Sequence, residues 1–158
     1  MEEILEMREE DQTANRKQIV IFQLGEEEYG INILQTKEII KPSKITNVPN
    51  TPDYVLGVIN LRGQIVPVID LRKRFAIAAT ETTDKQRVIT IEVRDSLIGL
   101  VVDSVNGVVW LNMNELEPAP EIAGGIEQEF IEGVGKIEDR LLVLIDLEKL
   151  LFGNDQEG

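Results

Sequence analysis

Two carboxylates at matching places are the first residues that invite chemistry. Asp70 ends the apolar run Ile65-Val66-Pro67-Val68-Ile69, and Asp146 ends Leu141-Leu142-Val143-Leu144-Ile145. A symmetric pair of acids sharing a proton is the constellation of a carboxylate-pair hydrolase. Each Asp, however, stands directly before a short helix-forming run, Leu71-Arg72-Lys73-Arg74-Phe75 or Leu147-Glu148-Lys149-Leu150-Leu151. There a side-chain carboxylate accepts hydrogen bonds from the first free backbone N–H groups. Helix capping is therefore the stronger reading of both, and an acidic small-barrel enzyme using Asp70 and Asp146 the weaker one.

Other catalytic constellations have little to work with. The chain has no His and no Cys, so no imidazole can activate Ser43, Ser96 or Ser104, and thiolate and imidazole metal ligands are lacking. Ser43 beside Lys41 or Lys44 is formally a Ser–Lys pair, but the segment reads as a turn. Glu26-Glu27-Glu28 and the scattered Glu115, Glu117, Glu121, Glu127, Glu129 and Glu132 match no calcium-loop spacing and read as solvated faces. Gly124-Gly125 and Gly133-x-Gly135 lack the strand-to-helix setting of a phosphate loop. No metal and no cofactor is expected. What remains is Arg62, in the turn-like Asn60-Leu61-Arg62-Gly63. A guanidinium on a tight turn is a rigid forked donor, suited to a partner's carboxylate or carbonyl, or to holding its own loop through Glu38. Both roles are compatible. An exposed pair of this kind contributes little to folding.

The elements that would position these residues are mostly strands. The chain has 20 Ile and 15 Val among its 158 residues, a β-branched excess that favours sheet. Residues 18–24 and 29–33 flank Gly25-Glu26-Glu27-Glu28 as a hairpin, and 88–93 and 97–103 flank Arg94-Asp95-Ser96 as a second. Residues 34–40 carry polar residues at helix-like intervals, and 53–61 reads as a turn or short helical piece. Residues 64–69 form a strand that Pro67 places at an edge, or with that position turned outward. Residues 105–111, 130–137 and 141–145 are further strands. Residues 76–85 are the linker candidate, and 115–128 are too interrupted by Pro and Gly for a regular element.

The chain also repeats itself. A shift of 76 lays Gly57-Val58 on Gly133-Val134 and Val68-Ile69-Asp70-Leu71 on Leu144-Ile145-Asp146-Leu147; a shift of 69 lays Tyr29-Gly30-Ile31 on Ile98-Gly99-Leu100. Two similar all-β lobes follow, of about 16–80 and 86–146, with a short helix over 147–152 and acidic or polar tails at 1–15 and 153–158. Closure into small barrels would remove the open edges of such short sheets. A net charge of −13 and 4% aromatic content disfavour nucleic acid. No apolar run is long enough for a membrane span, and the acidic N-terminus is unlike a signal peptide, so a cytoplasmic protein without direct membrane insertion is expected.

The stretch Thr51-Pro52-Asp53-Tyr54-Val55-Leu56-Gly57-Val58-Ile59-Asn60-Leu61-Arg62-Gly63-Gln64-Ile65-Val66-Pro67-Val68-Ile69-Asp70-Leu71-Arg72 resembles the signature of the CheW family of bacterial chemotaxis coupling proteins. So do Leu24-Gly25-Glu26-Glu27-Glu28-Tyr29-Gly30-Ile31, Gly99-Leu100-Val101-Val102-Asp103 and Ile145-Asp146-Leu147-Glu148-Lys149, which extends the likeness over about 17–152. The resemblance implies two intertwined SH3-like five-stranded barrels sharing a hydrophobic core, and no catalysis. It implies an adaptor recruited to membrane-associated receptor arrays, coupling the cytoplasmic hairpin tips of chemoreceptors to the CheW-like regulatory domain of the histidine kinase CheA. A module of CheV or CheA type is the nearest alternative. By position, Gly57 and Arg62 match receptor-coupling residues of the family, Glu38 matches an acidic position on the same face, and Thr36 stands where relatives often carry an apolar β-branched residue; the resemblance implies all four as receptor-binding residues. Val105 and Val108, with Val109, are expected to wall a groove for a receptor helix. Ile39, Ile45 and Val48 are the candidates for kinase docking.

Overall fold

The structure, a computed structural model, describes residues 15–78, 83–119 and 128–153. Most of both expected tails, the middle of the linker, Glu121, Glu127 and Gly124-Gly125 lie outside the described residues. Asn15 and Gly153, assigned to tails from the sequence, belong to the fold: the Asn15 carbonyl accepts from the Met113 N–H at 2.8 Å, and Gly153 caps the last helix.

Ten strands are present among the described residues: β1 Arg16–Leu24, β2 Glu27–Asn32, β3 Thr36–Ile40, β4 Val55–Leu61, β5 Gln64–Asp70, β6 Arg87–Val93, β7 Ser96–Val102, β8 Ser104–Asn112, β9 Ile131–Ile137 and β10 Arg140–Ile145. Helix α1 spans Leu71–Arg74 and α2 spans Leu147–Phe152. The hairpins close through left-handed turn residues: Gly25, Arg62-Gly63, Arg94-Asp95 and Glu138 all have positive φ. That geometry matches the right-handed twist of the flanking strands.

Residues 53–61, read as a turn or helical piece, instead supply β4. Its residues pair with β5 along the register Val58↔Pro67, Ile59↔Val66, Asn60↔Ile65, so hairpin pairing across the Arg62-Gly63 turn overrides the weak local pattern. Residues 34–40 likewise form a 3-10 turn over Ile33–Gln35 followed by β3, paired with β6. β5 is not an edge strand, since it lies between β7 and β4. Pro67 is exposed and precedes the start of the parallel ladder at Val68↔Gly99, where its missing donor costs nothing.

The strands form two five-stranded sheets, ordered β8-β1-β2-β10-β9 and β3-β6-β7-β5-β4. Each contains one parallel pair, β2 with β10 and β5 with β7. The division into lobes at 16–80 and 86–146 therefore needs correction: β1 and β2 leave their sequence neighbours and complete the sheet of β8, β9 and β10. The reason lies in the parallel pairs, which require partners distant in sequence.

Each sheet curls on itself. Beyond β3, Thr46 exchanges hydrogen bonds of 2.8 and 2.9 Å with Val58 of β4; beyond β8, Glu117 does the same with Val134 of β9 at 2.9 and 2.8 Å. The chain past one edge thus bonds to the opposite edge through one residue pair in each sheet, giving two small barrels. A side chain on Gly57 would run into the Thr46 carbonyl, and its φ is 147°. The repeat position, Gly133, is crowded by Leu116 and the Glu117 carbonyl in the same way, at 3.1 and 3.3 Å.

Three cores result. Ile19, Ile21, Leu111, Leu142 and Leu144 fill the first barrel; Ile59, Val66, Val68, Val88 and Val101 fill the second. The largest core lies between them and draws on both, with Phe22, Tyr29 and Ile31 packed with Ile89, Ile91 and Leu100. Polar links reinforce the seam. Asp103 Oδ2 accepts from Arg72 Nη2 at 2.6 Å and from the Gly25 N–H at 2.7 Å, tying α1 to the β1–β2 turn. Arg74 lies over the rings of both Tyr54 and Phe130, 5.2 and 4.6 Å from their centres.

Candidate functional site

Asp70 and Asp146 are occupied with backbone. Asp70 accepts from Arg72 N at 2.9 Å and Lys73 N at 3.4 Å at the start of α1, and Asp146 accepts from Lys149 N at 3.1 Å at the start of α2. The two carboxylates serve different helices. The described residues contain no cluster of three or more metal-ligating side chains.

Arg62 sits at the tip of the β4–β5 hairpin. Its positive φ of 50°, followed by 87° at Gly63, makes a two-residue turn, and Asn60 Oδ1 accepts from the Gly63 N–H at 2.8 Å to brace it. The guanidinium forks onto Glu38 of β3, with Nη1 to Oε2 at 3.3 Å and Nη2 against Oε1. Glu38 is itself held from behind. Its N–H donates to Thr90 Oγ1 at 2.9 Å, and the Thr90 hydroxyl donates to the Glu38 carbonyl at 3.3 Å, beside the register shift in β3. Thr90 is the one buried polar residue among those described, and a Thr in the run Val88-Ile89-Thr90-Ile91 reads as an ordinary strand residue. Hydrogen bonds from Arg62, together with its charge, hold the Glu38 carboxyl below the usual glutamate range. Beside it, Lys37 pairs with Glu92 at 2.8 Å. The result is a surface of crossed ion pairs in a shallow cleft of about 280 Å³.

A second cleft, of about 440 Å³, opens along the seam between the barrels. Ile39 and Val105 supply its apolar wall, Lys85 and Arg87 its basic side, and Gln23 and Asn106 its polar side. Val108 and Trp110 of β8 lie opposite Val20 and Gln18 of β1, and so share the face that Val20 buries in the central core. They carry that core to the surface, 46% and 56% exposed, with the Arg16 guanidinium 5.1 Å over the Trp110 ring. Nothing in the sequence singled out Trp110, Lys85 or Arg87; only the seam brings Lys85 and Arg87 beside Val105, and only the pairing of β1 with β8 puts Trp110 on the face of Val108.

The structure regroups the sequence candidates. Alternation along β3 puts Glu38 and Thr90 on one face and Ile39, opposite Ile89, on the other, so Ile39 joins Val105 rather than Ile45 and Val48. Ile45 packs against the second barrel's core, so only Val48, half-buried in the loop over 47–53, remains available at that end. Thr36 is half-buried at the start of β3, and Val109 packs against the first barrel's core. Gly57 is buried under the Thr46 carbonyl and cannot itself touch a partner; its position serves closure of the barrel.

Two closed sheets fused through a third core, with their distinctive side chains in an exposed ion-pair surface and a half-apolar cleft, define a protein-binding module. The CheW-like domain family matches residues 18–153. The chain is 43% identical over 139 residues to the chemotaxis protein CheW of Klebsiella aerogenes, covering 88% of this chain and 84% of that one. It is 41% identical to the chemotaxis protein CheW of Bacillus subtilis, covering 85% and 86%. The crystal structure of the scaffolding protein TtCheW from Thermoanaerobacter tengcongensis superposes with a TM-score of 0.80 at 41% identity, covering 85% of this chain and 86% of that one. The chain belongs to the CheW-like domain family of chemotaxis adaptors.

Proposed function

We propose that this adaptor joins the cytoplasmic hairpin tip of a chemoreceptor to the histidine kinase CheA, working as a scaffold and not as a catalyst. The receptor helix would lie along the seam cleft, its apolar stripe on Ile39, Val105 and Val108, with Arg62 and Glu38 contacting polar groups on the opposite face of β3. The CheW-like regulatory domain of CheA would dock at the barrel end that carries Val48. In this way the chain is drawn to receptor arrays at the membrane by its partners; no helix among the described residues is long and apolar enough to cross a membrane.

The observation that carries the reading is the Arg62–Glu38 pair. An exposed ion pair adds little to folding, yet this one is held by a left-handed Arg-Gly turn, the Asn60 brace and the buried Thr90 hydroxyl. Such pre-organisation benefits recognition, because groups already fixed lose less freedom on binding. A module of CheV or CheA type is less favoured, since the relatives described above are CheW proteins matched over most of their length.

The test is Arg62→Ala. Its melting curve should overlay that of the parent chain, while receptor-dependent CheA activation falls roughly tenfold, the scale of losing charge-assisted hydrogen bonds at an interface. Full activation by a folded Arg62→Ala protein would remove this surface from the adaptor's function.

A further inference from the structure

The apolar strip on β8 begins where the chain enters the fold. Arg16 pairs with Asn112, Gln18 with Trp110, Val20 with Val108 and Phe22 with Val105, and Ile39 then lines the cleft beside Val105. Trp110, Val108, Val105 and Ile39 therefore form one track leading from the start of β1 to the seam cleft. At its far end stand Lys85 and Arg87. Neither has a carboxylate within ion-pair distance among the described residues, and only Nη1 of the Arg87 guanidinium is engaged, by the carbonyls of Asp84 and Gln86. Glu28, which Asn106 of the polar side contacts at 2.9 Å, is also held by Arg140 at 3.1 Å. In a chain of net charge −13, two basic side chains beside an apolar wall are a local exception.

The sequence before Asn15 has the complementary chemistry. Residues 1–14 carry Glu2, Glu3, Glu6, Glu9, Glu10 and Asp11 against a single Arg8, with Ile4, Leu5 and Met7 among them. Reach is sufficient: six strand residues separate Arg16 from Phe22, roughly 20 Å, and residues 8–14 in extended form span roughly 23 Å.

We propose that residues 1–14 act as an intramolecular competitor for the seam cleft, laying Ile4, Leu5 and Met7 on the track from Trp110 to Ile39 with flanking carboxylates at Lys85 and Arg87. The proposal rests on the reading of that cleft as the partner surface. A tethered occupant lowers partner affinity in proportion to its occupancy, so a cleft filled half the time doubles the apparent dissociation constant.

The full-length chain allows a clean test because it has no Cys. A spin label attached to Glu3→Cys should broaden the amide signals of Ile39, Val105 and Val108 and the Trp110 indole signal, and the effect should fall by at least half when Lys85→Glu and Arg87→Glu are combined. Spin-labelled protein without isotope, mixed with isotope-labelled protein without the spin label, should leave the same signals sharp. Replacing Ile4→Ser, Leu5→Ser and Met7→Ser together should tighten binding of a receptor hairpin about twofold. Sharp signals along the track, uniform broadening, or broadening in the mixed sample would overturn the proposal. The two ideas fail separately. A hairpin that binds at the cleft while the track stays sharp removes the competitor alone, and a broadened track with no hairpin binding removes the adaptor reading of the cleft.

Discussion

Asp103 is the acid on which the two barrels converge, and replacing it tests whether the seam depends on polar links as well as on apolar contact. Its Oδ2 receives Arg72 Nη2 at 2.6 Å and the Gly25 N–H at 2.7 Å. The two side chains of the ion pair are only 14% and 23% exposed, so water replaces these bonds poorly. Charge-assisted hydrogen bonds contribute about 1.5–3 kcal/mol each, and breaking a mostly buried pair leaves a guanidinium without this acid. Allowing for the remaining solvent contact, Asp103→Ala should cost about 2–4 kcal/mol. For a chain of this length that corresponds to a fall in Tm of roughly 5–15 °C. Asp103→Asn keeps the shape and an acceptor and should lose about half as much. The assay is urea unfolding of Asp103→Ala, Arg72→Met and the double variant. A coupling energy of at least about 1 kcal/mol is expected between residues in direct contact. A loss below about 0.5 kcal/mol for Asp103→Ala, or strictly additive single changes, would refute the view that this clamp joins the barrels.

Gly57→Val should destabilise the chain by more than about 2 kcal/mol, because it adds a side chain against the Thr46 carbonyl at a φ of 147°; circular dichroism melting separates this from an Arg62→Ala protein that stays stable but loses activity. Tyr29 offers the opposite sign. Its hydroxyl is buried without a hydrogen-bond partner among the described residues, and burial, followed by the charge of Glu27, pushes its pKa to about 12. Tyr29→Phe should be neutral or stabilising by up to about 1 kcal/mol in urea unfolding, and a clear loss would show that the hydroxyl is bonded in solution. Glu38 should titrate below the other exposed glutamates by NMR and move up in Arg62→Ala. Since its folded value lies below the unfolded one, the small stability it brings is present above the unfolded pKa and fades as pH falls through the folded one. A Glu38 that titrates like its exposed neighbours would mean that the fork does not persist in water.

Local interactions were readable in the sequence itself. The caps at Asp70 and Asp146 involve the next two or three residues, and the turn at Arg62-Gly63 involves four, so residue type at each place was enough to suggest them. The β-branched content, the two hairpins and the repeat at shifts of 76 and 69 likewise announced a two-lobed β protein. Tertiary structure alone decided which strands complete which barrel. β2 joins β10 across more than a hundred residues, and no local propensity distinguishes that pairing from one with β3. Pairing with β5 turned 53–61 into β4, the close approach of the Thr46 carbonyl made Gly57 a residue of barrel closure rather than of partner contact, and the seam put Ile39 with Val105 instead of Ile45. Asp103 and Thr90 gained their roles in the same way, since a carboxylate or hydroxyl takes its meaning from neighbours that only the closed barrels bring within hydrogen-bonding distance.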